Sequence, residues 1–188
     1  MNDYPTRKNI RLTGYDYSAA GYYFVTICVT DHKELLGQIV GTNRLDESPG
    51  KNVGETVRYE NVRGTISRQL PLGSPGLLKI ELTELGLLVD SAIRFYIANN
   101  IVTIDKYVIM PNHIHMIIVL QPETGDRGRP PLPNIIRAFK AYISKQIGFS
   151  PWQRSYHDRV IRGEAEYRRL WQYIEENPAR WAEDEYHV

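Results

Sequence analysis

Residues 101–120 read IVTIDKYVIMPNHIHMIIVL. Both halves are apolar and β-branched and predict strands. Pro111–Asn112 between them is a tight turn. Two strands joined by so short a turn must run antiparallel. Upstream, residues 77–100, LLKIELTELGLLVDSAIRFYIANN, place Leu85, Leu88, Val89, Ala92, Ile93, Tyr96 and Ile97 at helical spacing. Thr83 is the expected N-cap, and Asn99–Asn100 the stop. Further upstream, YYFVTICVT at 22–30 predicts a buried strand. Downstream, the Pro/Gly loop QPETGDRGRPPLP leads to a helix expected to be capped by Asn134. Ile135, Phe139, Tyr142, Ile143 and Ile147 lie along one side of it, so Tyr142 is expected in the core. Pro151–Arg154 and a charged segment follow, then a helix from about Glu164 to Asn177, stopped by Pro178.

Between the first strand and first helix the character changes. Gly37 to Gly76 holds seven Gly and three Pro and no long periodic apolar run. A structureless loop that long is unusual, so 38–76 is read as an elaboration on the core. Within it, Glu55–Tyr59 and Gly64–Gln69 are candidates for a hairpin. The predicted architecture is α+β: a single domain over 1–188, with an antiparallel sheet carrying helices.

The formal charge of +1 excludes a strongly basic protein that wraps nucleic acid. A single cysteine, Cys28, excludes a disulfide framework and a cysteine zinc site. No apolar run is long enough to span a membrane, and MNDYPTRKNIRL lacks a signal-peptide stretch, so a cytoplasmic protein is expected.

The chemistry concentrates at His113-Ile114-His115. Side chains alternate along a strand, so both imidazoles share a face that Ile114 does not. Two imidazoles so placed can reach one cation; the alternative is two unrelated histidines on a solvated face. His32 and His187 have no partner pattern and are expected at the surface. A further, oxygen-bearing ligand must come from elsewhere. On the last helix Tyr173 and Asn177 are four apart and share a face. Leu170 and Ile174, on the neighbouring stripe, can pack on the sheet and bring that face over the histidines. Alternatively Tyr173 is a core aromatic and Asn177 a helix-terminal residue. In PWQRSYHDRVIR, Trp152, Tyr156 and His157 interleave with Arg154, Arg159 and Arg162. From Arg137 to Arg169, a span that includes Lys140, there are eight basic and three acidic residues. Basic groups contact phosphates and aromatics stack on unpaired bases, so this set is a candidate DNA surface.

Together these elements resemble the single-tyrosine transposases of the IS200-like type, within the HUH (His-hydrophobic-His) endonucleases, and above all the REP-associated branch. The stretches that carry the resemblance are YYFVTICVTDHKELLG, LLKIELTELG, DKYVIMPNHIHMIIVL, FKAYISKQI and PWQRSYHDRVIRGEAEYRRLWQYIEENPARW. They cover most of the chain except about 38–76, where the family has a short connection. The resemblance implies a ferredoxin-like sheet and a metal on His113 and His115. It also implies Tyr173, in Tyr-Ile-x-x-Asn-Pro, as nucleophile, with Asn177 near or on the metal. It implies single-stranded or hairpin DNA as partner. Histidine with carboxamide suits Mg²⁺ or Mn²⁺. The expected activity is metal-dependent DNA nicking and strand transfer through a 5′-phosphotyrosine, by a monomer or homodimer. An assembled site is expected to hold the Tyr173 hydroxyl on the order of 5–7 Å from the midpoint of the two imidazoles, bridgeable by one phosphate. Two other functions suit the same residues: nucleic-acid binding without turnover, and a water-using phosphoesterase.

Overall fold

A computed structural model describes residues 14–41, 78–122 and 130–187. The strands are β1 (Gly21–Cys28), β2 (Gly37–Gly41), β3 (Leu78–Leu82), β4 (Thr103–Ile109), β5 (His113–Leu120) and β6 (His157–Ile161). The helices are α1 (Glu84–Ala98), α2 (Leu132–Ile147) and α3 (Glu164–Glu176), and α3 runs into a 3-10 turn, Asn177–Glu183. The main sheet is antiparallel throughout, in the order β4-β5-β1-β6. With α1 between β1 and β4 and α2 between β5 and β6, this is the βαββαβ ferredoxin-like arrangement. β2 and β3 form a separate two-stranded ribbon, with Gly37 opposite Leu82 and Gly41 opposite Leu78.

β5 is buried along its whole length, which accounts for its nearly unbroken apolar character. Alternation divides its side chains. Ile114, Met116, Ile118 and Leu120 join Tyr23, Val25 and Ile27 of β1 in a core with Val89, Ile93, Ile136, Phe139 and Ile143 of α1 and α2. Ile117 points the other way and packs with Leu170 and Ile174 of α3. His113 and His115 share that second face, so α3 closes over them as the helical stripe predicts. Polar contacts at β4 add to this docking: Lys106 pairs with Glu175, with its Nζ 4.0 Å from the centre of the Trp171 ring, and the Tyr167 hydroxyl bonds Asp105.

Several expectations need correction. The charged segment after Arg154 contains β6, an edge strand pairing Tyr22–Thr26 with Ile161–His157. His157 and Arg159 are exposed on one face, while Asp158 between them is part-buried on the other. α2 starts at Leu132 with Pro131 as N-cap, ahead of Asn134. Proline presets the backbone for a first helical turn, and the Leu132 amide bonds the Tyr17 carbonyl while its side chain is fully buried. Tyr142 is 38% exposed, because the buried stripe of Leu132, Ile135, Ile136, Phe139 and Ile143 leaves it on the flank. The elaboration begins as the β2 half of the ribbon. The expected hairpin, Glu55–Tyr59 with Gly64–Gln69, lies outside the described residues.

Thr83 caps α1 as expected: its Oγ1 accepts from the Gly86 amide at 3.1 Å and donates to the Leu35 carbonyl at 2.6 Å. That second bond draws the ribbon's base against the first turn of α1. A Cβ on Gly86 would stand 1.9 Å from the Leu36 carbonyl oxygen. Gly86→Ala should therefore cost about 3 kcal/mol. For a domain of this size that is a fall of roughly 6–12 °C in Tm, measurable by thermal denaturation.

Candidate metal and nucleophile site

The β4–β5 turn is pinned before the histidines begin. The Met110 amide bonds the His113 carbonyl, the Val29 amide bonds the Asn112 carbonyl, and the Leu36 amide bonds the Pro111 carbonyl, all within 2.9 Å. Asn112, His113 and His115 are at most 1% exposed. In the sheet register His113 lies opposite Cys28, and His115 opposite Thr26 and Val108. The two imidazoles face each other with Nε2 atoms 2.9 Å apart. Phe24 stacks on His115 at 5.2 Å and Tyr186 leans on His113 at 4.7 Å. Burial pulls both imidazoles below the ordinary histidine range, so both are neutral near pH 7.

α3 and the 3-10 turn deliver the other groups from the same chain. The Tyr173 hydroxyl lies 3.3 Å from His115 Nε2 and donates to Asp184 Oδ2 at 3.3 Å. Asn177 is 2% exposed, and its Nδ2 donates to the same Asp184 oxygen at 2.8 Å. Asp184 Oδ1 accepts from the Tyr186 amide at 2.8 Å. Burial, and then the Asp184 carboxylate, push the Tyr173 phenol above the ordinary tyrosine range. Tyr173 and His115 are in direct contact.

The donors suit a hard divalent cation. An octahedral ion with bonds of about 2.1 Å sets neighbouring donors about 3 Å apart, close to the imidazole spacing. Ligand atoms of His113, His115 and Asp184 all lie within 4.8 Å of one another. Asn177 Oδ1 is buried with no hydrogen-bond partner among the described residues, as expected of an oxygen reserved for a ligand. Two neutral histidines with a carboxylate and a carboxamide are compatible with a divalent metal. Asp184 and Tyr186 were not singled out by sequence. They sit in an acidic tail, AEDEYHV, which reads as solvated surface.

The site opens into a cleft of about 680 Å³ lined by Phe24, His115, Tyr173, Asp184 and Tyr186, with His157, Arg159, Arg169 and Arg180. Of the expected DNA-contacting set, His157 and Arg159 are exposed and line this cleft, while Arg154 and Arg162 are exposed outside its lining. Three members need correction. Trp152 (5% exposed) and Tyr156 (6%) belong to the main core and have no free ring face for a base. Lys140 spends its ammonium on the carbonyls of Gln153 and Ser155, at 2.9 and 2.6 Å, fastening that segment to α2. His32 is not a bare surface residue: its Nε2 lies 3.1 Å from Gln153 Nε2 and its ring stacks on Tyr186 at 6.0 Å. His187 is exposed, with its ring against Trp181.

No protein-family model matches the chain. An uncharacterized protein of Haemophilus influenzae (strain ATCC 51907 / DSM 11121 / KW20 / Rd) is 28% identical over 203 residues, covering 97% of this chain and 93% of that protein. Among solved structures, a REP-associated tyrosine transposase bound to a REP hairpin is similar with a TM-score of 0.54 and 18% identity. That match covers 96% of this chain and 74% of the other, and at this identity the likeness is one of fold.

Because Trp152 packs in the core, Trp152→Ala should cost about 3–5 kcal/mol in a urea unfolding curve. Any loss of DNA binding by this variant should follow its unfolded fraction.

Proposed function

We propose that this protein is a metal-dependent, single-tyrosine DNA nicking and strand-transfer enzyme of the transposase kind, acting on single-stranded or hairpin DNA. The observation that carries the reading is the convergence of the Tyr173 hydroxyl, two facing imidazole Nε2 atoms, the orphaned Asn177 oxygen and Asp184 at one buried point. The fold likeness to the hairpin-bound transposase supports the same reading. It extends to residues 1–188 working as one domain with the elaboration inserted.

His113, His115 and Asp184 would hold Mg²⁺ or Mn²⁺, with Asn177 Oδ1 as a further donor. A cation there would withdraw charge from a phosphate and orient it. The protein's own groups supply the rest. Tyr173 Oη forms the bond to phosphorus as the bond to the 3′ oxygen breaks and that oxygen takes a proton from water, leaving a 5′-phosphotyrosine and a free 3′-OH. Asp184 Oδ2 already accepts the phenol's hydrogen bond and is the acceptor at hand for its proton. The covalent link conserves the phosphodiester energy, so a second 3′-OH can attack it and reseal a strand. Arg159, Arg169 and Arg180, with His157, line the cleft where the flanking phosphates would run.

The test is a labelled hairpin oligonucleotide with a single-stranded flank, incubated with protein and Mn²⁺ and resolved on a denaturing gel. A protein–DNA adduct is expected, and Tyr173→Phe should abolish it while leaving binding nearly intact. His113→Ala, His115→Ala or a chelator should also abolish it, and readded metal should restore the chelated protein. Ile114→Val should keep activity at a cost of roughly 0.5–1.5 kcal/mol in stability, because Ile114 faces the other core. Cleavage without an adduct would select the water-using phosphoesterase, and binding without cleavage a non-catalytic DNA-binding protein. Arg159→Ala and Arg169→Ala should each weaken binding across sequences and lower the salt slope by about one.

A further inference from the structure

Two neutral imidazoles whose Nε2 atoms lie 2.9 Å apart cannot both present lone pairs to each other without a cation or proton between them. Where each ring keeps its hydrogen therefore decides whether the pair repels, bonds or ligates. That position is set by the partner of each Nδ1. The two partners differ in kind.

His113 Nδ1 faces Asn112 Oδ1 at 2.8 Å. The amide cannot be turned the other way. Its Nδ2 sits 3.1 Å from the His32 carbonyl and 2.7 Å from the Tyr186 carbonyl, and both oxygens need donors. With both amide hydrogens so committed, the oxygen is left to His113 and can only accept. His113 must keep its hydrogen on Nδ1, and its Nε2 is a lone pair. Asp31 and His32, which precede that carbonyl, carry left-handed φ of 57° and 52°.

His115 Nδ1 faces Thr26 Oγ1 at 2.9 Å, and a hydroxyl can either donate or accept. The contact is satisfied in both senses. With hydrogen on His115 Nδ1, the ring donates to Thr26. With hydrogen on Nε2, Thr26 donates to the ring. No hydrogen is gained or lost between the two.

We infer that Asn112 and Thr26 are positioning residues with opposite tasks: Asn112 locks the His113 hydrogen on Nδ1, and Thr26 lets His115 hold its hydrogen on either nitrogen. Without a cation His115 Nε2–H donates to the His113 lone pair, and the buried pair is satisfied. With a cation His115 carries its hydrogen on Nδ1, and two lone pairs become donors. The inference about the cation-bound state rests on the metal reading above; the lock on His113 does not.

The test is imidazole-detected ¹⁵N–¹H NMR of the whole protein, first with chelator and then titrated with Mg²⁺, which is diamagnetic. Before Mg²⁺, His113 should be an Nδ1–H ring and His115 an Nε2–H ring. Saturating Mg²⁺ should leave His113 as it was and convert His115 to Nδ1–H. Hydrogen on His113 Nε2, or Nδ1–H on both rings in the chelated protein, would overturn the inference. A chelated spectrum as expected that never changes with Mg²⁺ or Mn²⁺ would uphold the lock and overturn the metal reading. Thr26→Val keeps the side-chain shape but cannot accept from Nδ1–H, so Mg²⁺ affinity should fall by roughly 10–100-fold and His115 should resist conversion. Thr26→Ser should restore both. Unchanged affinity and conversion in Thr26→Val would overturn the role given to Thr26. The His113 signal of the same sample reports whether the site is still folded.

Discussion

Two imidazole rings stand side by side on a strand from which water is excluded on both faces, and the molecule is arranged around making that tolerable. Burial penalises their charged forms, so they stay neutral, and their four ring nitrogens must then find partners inside the protein. Asn112, Thr26 and the facing pair itself supply them. The apolar half of β5 supplies the stiffness, because Ile114, Met116 and Ile118 anchor in the core beneath α1 and α2. A strand held that way cannot rotate its histidines toward solvent without pulling four or more core residues with them.

α3 is held differently. Its apolar footing among the described residues is small: Leu170 and Ile174 on Ile117, with Phe24, Val108, Ile161 and Tyr167 at the margin. Polar ties at the β4 edge add to it. A rigid strand thus carries the two imidazoles, and a more lightly attached helix carries Tyr173. The direct contact between Tyr173 and His115 is thus made from the side with the lighter footing.

Much of this was legible in the sequence wherever a strict period or a cap governed it. Alternation alone placed His113 and His115 together and Ile114 in the opposite core. Thr83 was readable as a cap because a hydroxyl just before a helical stripe has one common use. Spacing of four put Tyr173 and Asn177 on one face. The failures have physical causes of their own. β6 was missed because an edge strand needs apolar residues on only one side, and Asp158 and Arg159 made it look like a loop. Trp152 and Tyr156 sit in a basic run, and nothing local says that this run folds under the end of β1, where the Gln153 amide bonds the Cys28 carbonyl. Asp184 and Tyr186 were invisible because a carboxylate and a phenol in an acidic tail acquire a role only through contacts distant in sequence.

The ribbon base adds a consequence for how such a protein can change. β3 packs against the 3-10 turn that begins with Asn177 and leads to Asp184. Neither β2 nor β3 lends a side chain to the cleft. The insertion and the chemistry nonetheless share a wall, one short piece of backbone leaned on from both sides. Altering the paired residues of β2 and β3 therefore shifts the support of the 3-10 turn. The strand pair thus works as a bulkhead, and it confines the tolerance of the turn that leans on it.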